Sequence, residues 1–107
     1  MDLPKILKQY NELCEDNDWQ VFHTPKNLAS AMCVSSAKIL EHYQWITEEE
    51  SLSLARLPNS RDKIEAGIAE TFFHLLALAN RSGIDLEQAV LKKALKDAED
   101  HQGAPDA

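Results

Sequence analysis

The 107-residue sequence predicts an all-α domain, and three observations carry that expectation. Apolar residues recur at three- and four-residue steps. The breaks between these runs hold capping residues, proline or glycine. No stretch of useful length alternates apolar with polar residues as a half-buried strand would. The sequence also contains no internal repeat and no low-complexity block.

Leu3, Ile6, Leu7, Tyr10, Leu13 and Cys14 form one stripe of a first helix running roughly to Glu15. Asp16-Asn17-Asp18 breaks it. Thr24-Pro25 supplies a capping oxygen and a first-turn proline, so a second helix is expected from there to about Trp45. Thr47-Glu48-Glu49-Glu50 can open a short helical turn, and Pro58-Asn59-Ser60 marks the boundary and cap of a third long helix. Its expected buried stripe is Ile64, Ile68, Phe72 (or Thr71) and Leu75, and it should end at Gly83 in a left-handed conformation. Asp85 with Gln88 reads as a capping box for a last helix, whose apolar side is Leu86, Ala89, Val90, Ala94 and Leu95. Residues 1–101 are expected to form one domain, with 102–107 a flexible tail.

At this length, 44% hydrophobic residues supply one modest core. A formal charge of -7 argues against binding a nucleic-acid backbone, which requires clustered Lys and Arg. No run approaches the roughly 20 apolar residues of a membrane helix, and Met1-Asp2-Leu3-Pro4-Lys5 lacks signal-peptide character. A cytoplasmic protein without nucleic-acid or membrane partners is expected. Cys14 and Cys33 occupy apolar helix positions with no CxxC or Cys/His cluster nearby, and are expected to be buried free thiols.

Three segments carry a family resemblance. Trp19-Gln20-Val21-Phe22-His23-Thr24-Pro25-Lys26-Asn27-Leu28-Ala29 resembles the start of the second helix in dCTP pyrophosphatase-type members of the MazG-like nucleotide pyrophosphohydrolases. Leu40-Glu41-His42-Tyr43-Gln44-Trp45 is similar to that family's helix-end signature, and Gly83-Ile84-Asp85-Leu86-Glu87 with Ala89-Val90 to the link between its last core helices. The resemblance implies a MazG-like helical bundle completed by oligomerisation, as a homodimer or homotetramer. It further implies hydrolysis of a nucleoside triphosphate, dCTP-like, to monophosphate and pyrophosphate, with water and Mg²⁺. The family's metals are held by Glu-x-x-Glu on the second helix and Glu-x-x-Asp on the facing third. Three residues along a helix return a side chain to nearly the same face, so four carboxylates meet in one small volume.

This sequence departs from that pattern. The first motif falls on Ser35-Ser36-Ala37-Lys38, and the second places Gly67 and Glu70 at its glutamate and aspartate positions. One of four carboxylates remains. Lys38 would repel a divalent ion where a glutamate would bind it. Glu41, one turn beyond Lys38, is the best second carboxylate, so Glu41 and Glu70 are the candidate catalytic and metal-binding pair. Glu65 lies about 200° around the helix from their face, and Glu12-x-x-Glu15 reads as a solvated surface.

Other candidates have two readings each. Lys38 either pairs with Glu70 or Glu41 across the helix interface or contacts a phosphate. By resemblance, Trp19 and Trp45 stack the base; otherwise they are core or interface aromatics. His23, Lys26 and Asn27 lie at a helix start that favours anions, yet Thr24-Pro25 explains the stretch equally as capping. His74, one turn beyond Glu70, either reaches the nucleotide or is a satisfied polar residue. Two functions follow: a pyrophosphohydrolase-fold protein with weak or lost catalysis, or a non-catalytic helical oligomer that binds a nucleotide or a protein partner.

Overall fold

The computed structural model of the chain describes residues 1–103; residues 104–107 of the expected tail lie outside the described residues. Five α-helices and one 3-10 turn follow in order: α1 (Leu3–Asp16), the turn (Trp19–Phe22), α2 (Pro25–Glu41), α3 (Glu48–Leu54), α4 (Pro58–Arg81) and α5 (Leu86–Gly103). No strand occurs among the described residues. The all-α expectation therefore holds.

Local chemistry sets the boundaries. Asp2 Oδ1 accepts the Lys5 N–H at 3.1 Å to open α1, and Asp18, at φ 55°, turns the chain out of it. Aspartate tolerates this left-handed region better than most residues. Thr24 Oγ1 accepts from Asn27 N at 3.2 Å, and Pro25 follows as the first helical residue of α2. This helix ends at Glu41, short of the expected Trp45, because the ladder tightens: His42 N–H bonds to Ile39 O, and the Tyr43 and Gln44 N–H groups converge on Leu40 O. At α3, Thr47 and Glu50 form a reciprocal capping box with both bonds at 3.1 Å. Those bonds hold the Glu50 carboxyl below its ordinary range.

The expected cap at Pro58-Asn59-Ser60 is a correction. Leu57 is the N-cap of α4 and offers no side-chain bond; Pro58 occupies the first helical position, where its missing N–H has no consequence. At the other end, Gly83 adopts φ 68° as expected, and the bonds Ile84 N–H to Ala79 O and Gly83 N–H to Asn80 O close a Schellman motif. Asp85 Oδ1 accepts from Gln88 N at 3.1 Å to start α5.

α2 and α4 form the main packing pair. Ser35 meets His74 and Ile39 meets Gly67, so residue numbers rise along one helix as they fall along the other: the pair is antiparallel. α1 and the 3-10 turn cover its far end, where Tyr10, Cys14, Leu28 and Ala77 are buried against Phe73 and Leu78. Tyr10 is sandwiched between rings, with Phe73 at 4.9 Å and His23 at 5.9 Å. Burying Leu28, 1% exposed, stabilises by about 1.5–3 kcal/mol.

Two expectations about burial fail. Ile68, expected in the buried stripe of α4, is 57% exposed, because it lines an open apolar groove of about 570 Å³ between α1 and α4. Leu76, Ala77 and Ala79 are buried instead. Cys33 is exposed, since it lies five residues past Leu28 and therefore about 140° around α2. On α5, Val90, Leu91 and Leu95 also face outward. The Cα radius of gyration, 17.0 Å, exceeds the ~13 Å of a compact domain of this length. No helix of the described residues is long and apolar enough to cross a membrane.

Candidate functional site: a cleft between two antiparallel helices

One cleft of about 420 Å³ opens between the C-terminal half of α2 and the N-terminal half of α4. Lys38, Ile39, Glu41 and His42 line one wall; Lys63, Ala66, Gly67 and Glu70 line the other. The helical repeat accounts for both sets. Steps of three and four residues link 38, 41 and 42 on α2, and 63, 66, 67 and 70 on α4, so each set shares one face. Close approach depends on Gly67: a Cβ there would lie 3.0 Å from Ile39 Cγ1.

The structure thus brings together Glu41, Glu70 and Lys38, as the sequence suggested, and adds two residues that sequence reasoning passed over. Lys63 precedes Gly67 by four residues and Glu70 by seven, a spacing that already places it on their face. His42 directly follows Glu41. Among the described residues Lys38 and Lys63 make no ion pair; the salt bridge found there joins Lys93 to Asp97 on α5 at 2.8 Å. The expected pairing of Lys38 with Glu70 or Glu41 is therefore a correction. All four side chains are exposed, and water solvates each charge at less entropic cost than an ion pair between flexible chains would require.

Ser35 has turned away from the cleft. It is 2% exposed; its hydroxyl lies 3.1 Å from Ala31 O and 3.2 Å from both Met32 O and His74 Nδ1. His74 is accordingly a satisfied polar partner within the helix pair and does not line the cleft. A serine–histidine contact resembles a nucleophile with its base, but this hydroxyl is closed to any substrate.

The remaining candidates are dispersed. His23 faces a second cavity of about 350 Å³, shared with Asn11, Cys14, Glu15, Asn80 and Arg81. There the Cys14 sulfur lies 3.7 Å from His23 Nδ1, a Cys/His contact between α1 and the segment leading into α2 that the linear sequence did not suggest. Burial, then Arg81 and His74, push the His23 imidazole below its ordinary pKa. Burial raises the Cys14 thiol. Burial, then Cys14, pushes the Tyr10 phenol up to about 12. Asn27 takes part in capping: its N–H bonds to Thr24 Oγ1, and its side-chain amide donates to Phe22 O at 3.1 Å. Lys26 is exposed beside it. Trp19 and Trp45, 43% and 86% exposed, lie beyond opposite ends of α2, a 17-residue helix about 25 Å long. Neither is a core residue, and the fold of one chain does not bring them together.

The cleft does not fit a Mg²⁺ cage. Hard divalent ions require several oxygen ligands, whereas this cleft sets two ammonium groups beside two carboxylates. Ser35 is engaged elsewhere, and Gly67 supplies no side chain. Among the described residues no group of three or more His, Cys, Asp and Glu is arranged to hold a metal ion.

The chain is similar to known proteins over most of its length. It is 34% identical over 91 residues to dCTP pyrophosphatase 1 of Bos taurus and 32% identical to that of Homo sapiens, each match covering 85% of this chain and 54% of the relative. The chain thus spans about half the length of the curated relatives it matches. The crystal structure of a pyrophosphatase from Archaeoglobus fulgidus superposes with a TM-score of 0.86 at 26% identity, covering 94% of this chain and 93% of that one. Residues 47–90 also match a family described as the conserved region of Rad21/Rec8-like protein. That match covers less than half of the chain, whereas the pyrophosphatase superposition takes in nearly all of it.

The helix order and the α2–α4 cleft therefore place the chain among all-α proteins built on the scaffold of that pyrophosphatase. It belongs to the MazG-like, dCTP pyrophosphatase-like family.

Proposed function

We propose that this chain is a nucleotide-binding member of its family in which Mg²⁺-dependent hydrolysis of a nucleoside triphosphate to monophosphate and pyrophosphate is weak or lost. One observation carries the reading: the cleft pairs Lys38 and Lys63 with Glu41 and Glu70, a formally neutral set where the family pattern has four carboxylates. The relatives named dCTP pyrophosphatase support a nucleoside triphosphate, dCTP-like, as ligand. Glu41 and Glu70 are the carboxylates available for residual catalysis. Trp45, just beyond the cleft end of α2, would present a ring to the base; Trp19 and Lys26, at the opposite end of that helix, would reach the same ligand only from a second copy of the chain.

The test is pyrophosphate release from a panel of ribo- and deoxynucleoside triphosphates, with and without Mg²⁺, alongside thermal stabilisation by the same nucleotides. Stabilisation with little turnover is the expected result. Turnover at rates typical of enzymes, roughly 1–10³ s⁻¹, would overturn the loss of catalysis.

A second copy of the chain is the partner we favour. Trp45, Ile68, Leu91 and Leu95 are all more than half exposed, and the extended dimensions leave their apolar surface uncovered. Large apolar side chains left exposed in this number are what association between copies would cover. A dimer or tetramer in sedimentation is expected, and a monomer at micromolar concentration would refute this.

A further inference from the structure

We propose that the α2–α4 cleft holds a polyphosphate directly between Lys38 and Lys63, with no bridging metal, so that Mg²⁺ does not assist binding. The inference rests on the nucleotide-binding reading above and identifies both the anchoring groups and the ligand charge they require.

Lys38 and Lys63 come from facing helices and line one cleft of about 420 Å³. Neither makes an ion pair or hydrogen bond among the described residues, so both retain their donors for a ligand. Lysine presents a compact charge on a flexible stem, suited to phosphate oxygens, and a charge-assisted N–H···O bond is about twice as strong as a neutral one. In the family arrangement a dication mediates between carboxylates and phosphates, which would otherwise repel. Here two cations stand on the protein itself, one of them at a position the resemblance aligns with a family ligand and the other, Lys63, one turn before Gly67.

This arrangement has a sign that distinguishes it. Mg²⁺ bound to the ligand's phosphates cancels part of the charge that attracts the two lysines. The cleft offers no adequate cage to recover that loss, since only Glu41 and Glu70 could contact the ion. Two opposed cations also favour a di- or triphosphate, which can contact both, over a monophosphate. His42, on the same wall as Glu41, is positioned to add a further hydrogen-bonding group.

The experiment is calorimetric titration of the full chain with dCTP, dCMP and inorganic pyrophosphate, each in EDTA and in Mg²⁺. dCTP and pyrophosphate affinities in EDTA no weaker than in Mg²⁺, with dCMP binding more weakly than dCTP, are expected. Lys63→Gln and Lys38→Gln should each weaken dCTP and pyrophosphate by about tenfold, the loss of one charge-assisted contact. Both side chains are exposed, so unchanged circular dichroism and melting temperature are expected to accompany the loss. Affinity that is weaker in EDTA than in Mg²⁺, or unaffected by Lys63→Gln, overturns this inference while leaving nucleotide binding intact. Binding of no phosphate compound under either condition overturns both.

Discussion

The two ends of the α2–α4 pair have opposite chemistry. At one end, α1 and the 3-10 turn close over the helices, and each buried polar group there has a partner: Ser35 with His74, Cys14 with His23, and Tyr10 between two rings. At the other end the same two helices carry Lys38, Lys63, Glu41 and Glu70 into an open cleft without an ion pair among them. Metal-site carboxylates in this family would span the boundary between these ends. The difference teaches that the two positions the resemblance aligns with the family's first motif are unlike one another: Ser35 is buried against His74, and Lys38 stands in solvent.

Placing a glutamate at Ser35 and at Lys38 separately breaks or confirms that comparison. Ser35→Glu would place a carboxylate at a site 2% exposed, beside backbone carbonyls that repel it. Burying a charge there, with the His74 ring as its one polar neighbour from outside α2, should destabilise by roughly 3–5 kcal/mol. Lys38→Glu, on the exposed wall, should change stability by no more than about 0.5 kcal/mol. Urea unfolding of both variants measures this. Equal effects would show that the two positions share one environment, and the contrast would fail. Placing glutamates at Ser35, Lys38 and Gly67 together would not simply create a metal site, because a Cβ at Gly67 would lie 3.0 Å from Ile39 Cγ1 and that side chain would have to shift.

Leu28→Ala should be the next largest effect. Leu28 is 1% exposed within the closed end, and truncation there should cost about 2–5 kcal/mol. Affinity for a nucleotide in the cleft, measured under conditions where the variant remains folded, should be unchanged. A parallel loss of affinity would show that the two ends are coupled more tightly than their separate contacts imply.

Tyr10 reports the closed end through its acidity. Its phenol is raised from 10.0 to about 12, so the folded state holds the proton more tightly than the unfolded state does. The associated stability is fully present below pH 10 and is lost as pH rises from 10 through 12. Absorbance at 295 nm should show a tyrosine ionising near pH 12, a component that Tyr10→Phe removes. Ionisation of Tyr10 at pH 10 would mean that the sandwich of Phe73 and His23 opens to water.

Much of the closed end and part of the cleft were legible in the sequence. Thr24-Pro25, Gly83 and Asp85 set local structure through bonds within a few residues, and all three act as expected. Glu70 follows from the motif alignment and Glu41 from its place one turn beyond Lys38; both line the cleft, and the same helical spacing could have added Lys63. What periodicity could not supply was the relation between elements. The exposure of Ile68 depends on the open groove between α1 and α4; the Cys14–His23 contact depends on the turn after Asp18 folding back; and the direction of the Ser35 hydroxyl depends on His74, 39 residues away. The expected Lys38 ion pair failed for a different reason. Proximity of opposite charges on exposed, flexible side chains is insufficient to fix them together.

That last point gives the smallest of the expected effects and a direct check on how charge acts in this protein. Lys93 and Asp97 do form an ion pair, one turn apart on α5, with the Lys93 Nζ 2.8 Å from Asp97 Oδ1 and side chains 72% and 56% exposed. In water such a pair gains little over its separate hydrated charges, and Lys93→Ala should reduce stability by no more than about 0.5 kcal/mol, less still at high salt. The comparison is with Lys63→Ala on α4, which has no ion pair to lose and should likewise leave the melting temperature nearly unchanged, while weakening phosphate binding. If Lys93→Ala instead lowers stability by more than about 1 kcal/mol, this face of α5 is covered in solution. The pair would then lie within the contact between copies of the chain, and its loss should shift the sedimentation profile toward smaller species.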